Sequence, residues 1–394
     1  MDPITRIFAN ERDGRYHPPA DPDPQVFEFH RALPGYAPTP LHRLSSLARQ
    51  LGVGEVLVKD ESNRWGLPAF KILGASWAAH RLILERMGEA PGRSSIADLR
   101  QQLASGTPVE LITASTGNHG RAVARVACYL GCRARVFVPA DASPLRISAI
   151  ESEGATVVRV NGDYDDAVGK AIEQMHDNAI LLQDTSVSER DERSASLVIE
   201  GYSTMLREID DALSEMNEPL PDLVFVQIGV GALAAAVVTH FRRKPAGKGP
   251  VIVGVEPCGA ASACTSVERG ELTTLPLTER TIMNGLSCAA PSRVAWPILQ
   301  NGVDCFMSLS DDRACEAMRI LAREGVVSGE SGAAGLGGLL ELIHLDVARR
   351  PFPLGPETRV LVISTEGATD PCSFERIVGR SPEVVTAGVR RKQE

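Results

Sequence analysis

The sequence of 394 residues lacks three patterns that would define other classes of protein. It has no CxxC pair, no run of eighteen apolar residues and no block of clustered lysine and arginine. Its formal net charge is -9. Nucleic acids and anionic membrane surfaces attract clustered positive charge, so we expect neither as a partner. A transmembrane helix needs about twenty consecutive apolar residues, so we expect no membrane span.

The eight cysteines are scattered, without the spacing of a structural zinc site. We therefore expect no metal, and mostly reduced, buried thiols of the kind found in cytosolic proteins. Residues 1–6 lack the apolar core of a secretory signal peptide. The composition, 43% hydrophobic and 23% charged, is that of an ordinary globular protein. Together these observations predict a cytoplasmic protein.

From about residue 109 the sequence alternates between apolar strands and helices. Strands are predicted at residues 109–113, 133–138, 155–160, 179–183, 223–227, 251–255 and 359–363. Such alternation with short loops is typical of parallel sheets that are covered by helices on both faces. We therefore predict an α/β fold with two open, mostly parallel twisted sheets. Residues 85–185 would form a small α/β domain, inserted in a large domain of residues 1–84 and 186–394.

Other helix predictions rest on local signals. Residues 39–51 are predicted to form a helix with Thr39 as a possible N-cap. A second, long helical region is predicted at residues 194–216.

One lysine, Lys71, lies between Phe70 and Ile72 at the predicted start of a helix. Pro68 fits the first turn of that helix, where its missing N–H costs nothing. The apolar neighbours and the positive helix end both disfavour the charged form of an amine. A neutral amine is a nucleophile that can form a Schiff base with an aldehyde. Taken alone, however, the pattern more often belongs to a lysine that reaches the surface from an amphipathic helix.

Three further loops follow predicted strands and carry groups suited to a ligand. Residues 113–120 place hydroxyls and free N–H groups at a helix start, where an anion such as a carboxylate can bind. Residues 227–233 form a glycine-rich turn that could hold a phosphate, although Ala234 stands where a dinucleotide fingerprint has its third glycine. Ser364 offers a neutral hydroxyl after the last strand. Because ligands bind beyond the carboxyl ends of parallel strands, these loops and Lys71 describe a site for pyridoxal 5'-phosphate (PLP).

These motifs resemble those of fold-type II PLP enzymes, the group of tryptophan synthase β and threonine dehydratase. Within that group they are most similar to the diaminopropionate ammonia-lyase family. The resemblance runs in order from about residue 30 to residue 380. It is carried by residues 59–62, 69–71, 117–121, 183–185, 229–232, 281–286, 328–333 and 364–367. It implies an ammonia-lyase that converts 2,3-diaminopropionate to pyruvate and ammonia by α,β-elimination, and it implies a homodimer.

The resemblance also implies roles for individual residues. Lys71 would form the Schiff base. Asp184 matches a family aspartate that handles the α-proton of the L-substrate, and either Lys71 or Asp184 would be the base. Asn118 would lie near the ring oxygen of the cofactor, and Ser364 would face its pyridine nitrogen. The phosphate would bind to Gly229, Val230, Gly231, Ala232 and Leu233. The substrate carboxylate would bind to Ser115, Thr116, Gly117, Asn118 and His119.

Two departures from the family pattern affect the substrate. Thr116 stands where the family usually has an aspartate associated with the α-proton of the D-enantiomer, and a hydroxyl is no base near neutral pH. The sequence therefore favours the L-form. Residues 186–193 replace an aromatic-rich run of the family.

Several alternatives stay open at this stage. The Ser-x-Gly-Asn-His-Gly form of the loop at Ser115 is closer to serine/threonine dehydratases. A β-replacement synthase and an inactive regulatory scaffold of the same fold are two others. Asp184 could also be no more than a helix N-cap.

Overall fold

The structure is a computed structural model that describes residues 5–12, 16, 18, 21–89, 95–243 and 249–393. The expectation about residues 1–6 therefore falls mostly outside the described residues. The chain divides into two compact units, described separately below. The first comprises Met1–Ala20, Pro38–Ala69 and Met205–Glu394, and the second comprises Asp21–Ala37 and Phe70–Thr204.

The described residues form eleven strands and sixteen α-helices, labelled here in chain order. The strands are β1 (Ile7–Ala9), β2 (Leu41–Arg43), β3 (Glu55–Asp60), β4 (Glu110–Ala114), β5 (Arg133–Pro139), β6 (Thr156–Val160), β7 (Ala179–Leu181), β8 (Leu223–Gln227), β9 (Val251–Pro257), β10 (Cys305–Leu309) and β11 (Arg359–Ser364). The helices are α1 (Gln25–Arg31), α2 (Ser45–Leu51), α3 (Ile72–Met87), α4 (Ile96–Ser105), α5 (Asn118–Leu130), α6 (Pro144–Glu151), α7 (Tyr164–Glu173), α8 (Glu189–Gly201), α9 (Ser203–Glu215), α10 (Ala232–Phe241), α11 (Ser262–Arg269), α12 (Trp296–Gly302), α13 (Asp311–Arg323), α14 (Ala334–His344), α15 (Pro371–Val378) and α16 (Pro382–Gln393). None of these helices combines the length and apolarity that a membrane span requires.

The first unit is built around a seven-stranded sheet with the order β1-β10-β9-β8-β11-β3-β2. Its five central strands are parallel, and β1 and β2 pair antiparallel at the two edges. All residues of β8 and β10 are buried, as a parallel sheet with both faces covered requires. The carboxyl ends of β8 and β11 are neighbours, so the loops that follow these two strands meet at one edge of the sheet.

The second unit contains a parallel sheet of four strands in the order β6-β5-β4-β7. A separate apolar core lies on this sheet and includes Ile112, Phe137 and Val168. The two mostly parallel sheets confirm the predicted α/β class.

The division into units differs from the predicted domain boundaries at residues 84/85 and 185/186, because α3 and α8 both belong to the second unit. The two helices cross with their backbones in contact. A Cβ on Gly74 would lie 2.6 Å from Val198 Cγ1, and a Cβ on Gly201 would lie 2.6 Å from the Leu73 carbonyl oxygen. Close packing through two glycines therefore joins helices that the sequence assigned to the larger domain.

A buried ion cluster of Lys59, Glu61, Arg64 and Glu208 lies in the first unit, and each side chain is at most 1% exposed. Lys59 Nζ donates to Glu208 Oε2 at 2.7 Å, and Arg64 Nη1 donates to Glu208 Oε1 at 2.7 Å. Arg64 Nε also donates to Glu61 Oε2 at 2.9 Å. Two cations and two anions compensate one another, so the cluster fixes the polar segment between β3 and Lys71.

The predicted starts of two helices and the cysteine prediction are wrong in detail. Residues 41–43 form β2 because they pair with β3, and Thr39 is a buried hydroxyl that donates to Glu61 Oε1 at 2.6 Å. Pro68 precedes the helix, because α3 begins at Ile72. The helical region predicted at residues 194–216 is present as two helices, which meet at Tyr202. All eight cysteines are free thiols, as predicted. Most were expected to be buried, whereas only two of the eight, Cys264 and Cys305, are.

The substitution Gly201→Ala is expected to destabilise the protein by about 1–3 kcal/mol, because the added methyl group would overpack the contact between α3 and α8. Denaturant unfolding measures this loss. Gly169→Ala in α7 is the matched control, because nothing lies within 4 Å of its Cβ position. That control should be neutral or slightly stabilising, since alanine favours a helix. Equal behaviour of the two variants would contradict the proposed close packing.

Candidate active site

The residues singled out by the sequence fall into two groups, one in each unit. The second unit contains Lys71, Asp184 and the loop from Ser115 to His119. The first unit contains the loop from Gly229 to Leu233, and Ser364.

Lys71 stands at the N-cap position of α3, as the sequence predicts. Its Nζ donates to Asp184 Oδ2 at 2.7 Å and lies 5.3 Å from the centre of the Phe70 ring. Its side chain is 21% exposed, and that of Asp184 is 8% exposed. Lys71 is therefore a partly buried, paired amine, which excludes the reading of an ordinary surface lysine.

Asp184 lies in the loop between β7 and α8. Burial alone would raise the pKa of this carboxyl, but His119, Lys71 and the hydrogen bond from Lys71 outweigh burial and lower the pKa to about 2. Asp184 is thus ionised near neutral pH. The N-cap of α8 is Ser188, which forms a capping box with Asp191, so Asp184 does not cap that helix.

His119 lies in the first turn of α5, and its ring is buried. Nε2 lies 2.9 Å from the Leu182 carbonyl oxygen. Nδ1 lies 3.9 Å from Asp184 Oδ2 and has no hydrogen-bond partner among the described residues. Burial lowers the pKa of His119, with Lys71 acting in the same direction and Asp184 opposing it. The structure therefore directs this ring toward the Lys71–Asp184 pair.

The loop before α5 is organised by Ser115. Its Oγ accepts hydrogen bonds from the backbone N–H of Gly117 at 3.0 Å and of Gly120 at 2.8 Å. A Cβ on Gly120 would lie 2.7 Å from Val136 Cγ1, so glycine is required for this close approach. Thr116, Gly117 and Asn118 are half-buried. The loop thus keeps its middle residues partly exposed while its ends are fixed.

The glycine loop of the first unit joins β8 to α10. Gly231 is the N-cap of α10 and has a φ of +93°, a conformation that favours glycine. A Cβ here would lie 2.7 Å from Leu299 Cδ1, and a Cβ on Gly229 would lie 2.8 Å from the Gly285 carbonyl oxygen. The first N–H groups of α10 have no intrahelical partner. Together, a tightly packed backbone and a helix N-terminus suit the phosphate of PLP.

Ser364 ends β11 and is buried. Its Oγ donates to Ser328 Oγ at 2.8 Å. The same loop region is joined through Ser331, whose Oγ accepts from Gly285 N–H at 3.1 Å. The structure therefore brings the 284–286, 328–333 and 364–367 motifs to the same edge of the seven-stranded sheet as the glycine loop.

Gln227 has a structural role that the sequence does not reveal. Its Nε2 lies 2.9 Å from Ile363 O and from Thr365 Oγ1, and 3.1 Å from the carbonyl oxygens of Ser331 and Gly332. This amide connects the end of β8 to two segments that lie more than a hundred residues further along the chain. A polar residue at the end of an apolar strand was its one signal in the sequence.

Tyr202 is a second residue near the site that the sequence does not point to. It is fully buried, and its ring lies 4.7 Å from the Phe70 ring. Burial raises the pKa of Tyr202, with the charge of Lys71 opposing the shift and that of Asp184 adding to it. The phenol therefore belongs to the same electrostatic environment as the Lys71–Asp184 pair.

Comparison with known proteins identifies a matching family and similar relatives. A family described as "Pyridoxal-phosphate dependent enzyme" matches residues 32–366. The diaminopropionate ammonia-lyase of Salmonella typhimurium is 37% identical over 377 residues, which cover 91% of this chain and 92% of that protein.

Two solved structures of the Escherichia coli diaminopropionate ammonia lyase are also similar. The complex with D-serine has a TM-score of 0.86 at 31% identity and covers 95% of this chain and 97% of that one. The complex with an aminoacrylate-PLP azomethine reaction intermediate has a TM-score of 0.84 at 31% identity, with the same coverage. These findings confirm the family resemblance and the expectation of PLP as cofactor.

Asp184→Asn is expected to lower the free energy of unfolding at pH 6 by about 2 kcal/mol, the value of a pKa shift from 3.8 to about 2. Because the folded-state pKa is depressed, this stabilisation is present above about pH 3.8 and is lost as the pH falls through about 2. Denaturant unfolding at several pH values measures the difference, which should vanish toward pH 2. Equal stability of the two proteins at pH 6 would show that the pair does not stabilise the second unit.

Proposed function

Because the chain belongs to the family of pyridoxal-phosphate-dependent enzymes, we propose that it is an ammonia-lyase acting on 2,3-diaminopropionate, and on its L-form. The reaction consumes one water and yields pyruvate and two molecules of ammonia. The observation that carries this proposal is the Lys71–Asp184 pair, with Nζ and Oδ2 2.7 Å apart. The similarity to diaminopropionate ammonia-lyases over 91% of the chain supports the substrate.

The residues present fit the cofactor in three respects. Lys71 supplies a partly exposed amine, the Gly229–Leu233 loop supplies N–H groups for a phosphate, and Ser364 supplies a neutral hydroxyl for a pyridine nitrogen. When bound, PLP withdraws electrons from the α-carbon of the substrate. A hydroxyl at the pyridine nitrogen, unlike a carboxylate, does not hold that nitrogen protonated, which favours elimination over transamination.

Residues of this chain then have two separate roles, proton transfer and binding of the substrate carboxylate. Lys71 Nζ takes the α-proton of the L-substrate, and ionised Asp184 stabilises the ammonium that results. The half-buried residues Thr116, Gly117 and Asn118 present N–H groups at the start of α5 to the substrate carboxylate. Ser115 holds that loop in place through two backbone hydrogen bonds.

The proposed preference for the L-enantiomer rests on Thr116. It is a neutral, half-buried side chain in the loop assigned to the substrate, where an aspartate would offer a base for the D-enantiomer. The same observation favours a second candidate function, a dehydratase of L-serine or L-threonine. A neutral loop supplies no negative charge to attract the second amine of diaminopropionate.

We also propose a cytoplasmic homodimer. All eight cysteines are free thiols, which fits a reducing compartment, and two-fold assemblies are the commonest among soluble enzymes. Light scattering of the purified protein measures the assembly.

Keto-acid production from L- and D-diaminopropionate, L-serine and L-threonine tests the function. We expect turnover of L-diaminopropionate at least about tenfold above that of the other three, and none in Lys71→Ala. Thr116→Asp should increase turnover of the D-enantiomer, because it adds a carboxylate base to the loop. Keto acid from the hydroxy amino acids alone would favour the dehydratase. A product without keto acid that needs a co-substrate would indicate a β-replacement synthase.

Gly231→Ala should weaken PLP binding by about tenfold or more, because the methyl group would displace the loop against Leu299. Gly270→Ala is the matched control. It has a φ of +71° and nothing within 4 Å, so it bears the backbone strain without the contact. Absorbance titration with PLP and with pyridoxal, which lacks the phosphate, measures both variants. If Gly231→Ala binds PLP as wild type does, the phosphate assignment fails.

A further inference from the structure

The orientation of the His119 ring is fixed by a protein acceptor, the Leu182 carbonyl oxygen. A carbonyl oxygen only accepts hydrogen bonds, so Nε2, 2.9 Å from Leu182 O, must carry a hydrogen. In the neutral ring this leaves a lone pair on Nδ1. That lone pair faces Asp184 Oδ2 at 3.9 Å. Two electron-rich atoms therefore face each other in a buried site, with room for one proton between them.

One oxygen of Asp184 is close to two nitrogen bases. Oδ2 lies 2.7 Å from Lys71 Nζ and 3.9 Å from His119 Nδ1. A buried carboxylate is stable only with a counter-charge. Lys71 provides that charge while it is an ammonium, but Lys71 must be neutral to act as a nucleophile or a base. At that moment Asp184 requires a cation from elsewhere.

We propose that His119 is a positioning residue that exchanges one proton with Lys71 through Asp184. The proton leaves Lys71 Nζ, and His119 Nδ1 takes it up with its lone pair, so Lys71 becomes neutral as His119 becomes an imidazolium. Asp184 stays a carboxylate, and the total charge of the three groups is unchanged. Lys71 passes the α-proton that it accepts to the departing β-amino group, which leaves as ammonia. Lys71 is then neutral again, and His119 returns its own proton to Lys71 through Asp184 at the end of turnover. This inference rests on the proposed function for its kinetic part only.

The contact needs to close by about 1 Å for the exchange, because 3.9 Å exceeds a hydrogen-bond distance of about 2.9 Å. Such contacts are often long before substrate binds. The charged groups that face His119 are Asp184 and Lys71, and the phenol of Tyr202 adjoins both. From α6, Arg146 contacts the loop at the Thr116 carbonyl oxygen, 3.4 Å away.

This role differs from the one that the family resemblance implies, in which His119 binds the substrate carboxylate. A carboxylate ligand would need an exposed nitrogen, whereas this ring is 5% exposed and both nitrogens face protein atoms. The backbone N–H groups of the loop can still bind the carboxylate. The two roles predict different kinetics.

His119→Gln separates them, because a glutamine amide can keep the hydrogen bond to Leu182 O while the group at Nδ1 is lost. In the holoenzyme we expect kcat at pH 7 to fall by about tenfold or more, with KM within about twofold. Raising the pH should restore part of kcat, since solvent then removes the proton that His119 would have taken. His119→Asn, which lacks the Leu182 bond, should show the same kinetic loss with lower thermal stability. His176→Gln is the matched control at an exposed histidine paired with Glu110, and its activity should be unchanged.

A second readout needs no activity. In cofactor-free protein, the rate of acetylation of Lys71, followed by mass spectrometry of its peptide, reports how readily Lys71 becomes neutral. In His119→Gln this labelling should shift to higher pH by about half a unit or more. A raised KM without recovery at high pH would overturn the proposal in favour of carboxylate binding. Wild-type kinetics together with wild-type labelling would reduce His119 to a packing role.

These outcomes stay separate from the test of the proposed function. If the wild-type protein forms no keto acid from any amino acid, the function fails, and the labelling comparison still decides the role of His119.

Discussion

The need to compensate buried carboxylates governs the segment from Lys59 to Lys71. Glu208 is surrounded by Lys59 and Arg64 in the first unit, and Asp184 is paired with Lys71 in the second. A single stretch of thirteen residues supplies all three cations. Loss of one partner would leave a charge stranded away from water, which costs several kcal/mol. The polar run that precedes Lys71 is therefore part of the folded interior, even though its composition is that of a surface loop.

The sequence predicted strands that are marked by their own apolar run, but it missed the buried strand β10 and it failed where pairing with a distant segment makes the strand. The apolar run of β8 was predicted to the residue, because a strand buried on both faces leaves a continuous apolar signature. Residues 41–43 have no such signature. They become a strand through pairing with β3, and local periodicity cannot show that pairing. The contact between Gly74 and Gly201 was invisible for the same reason, since it depends on how two helices cross.

The same distinction applies to the site. Lys71 and Asp184 could be predicted because the motifs around them specify residue types, and the structure pairs them at 2.7 Å. The orientation of His119 could not be predicted, because the Leu182 carbonyl that sets it lies sixty-three residues further along the chain. Tyr202 carries no local signal at all. Its hydroxyl matters only because the fold buries it beside two charged groups.

The buried ion cluster has a further consequence, for chemoselectivity. Six of the 41 basic residues Lys+Arg in the chain are lysines, and two of them stand twelve positions apart in this one segment. Lys59 is 1% exposed and donates to both Glu208 and the Thr39 carbonyl oxygen, whereas Lys71 is 21% exposed. An aldehyde entering from solvent therefore meets one reactive amine of the pair and not the other. Burying Lys59 as an ion-paired ammonium restricts imine formation in this segment to a single nitrogen.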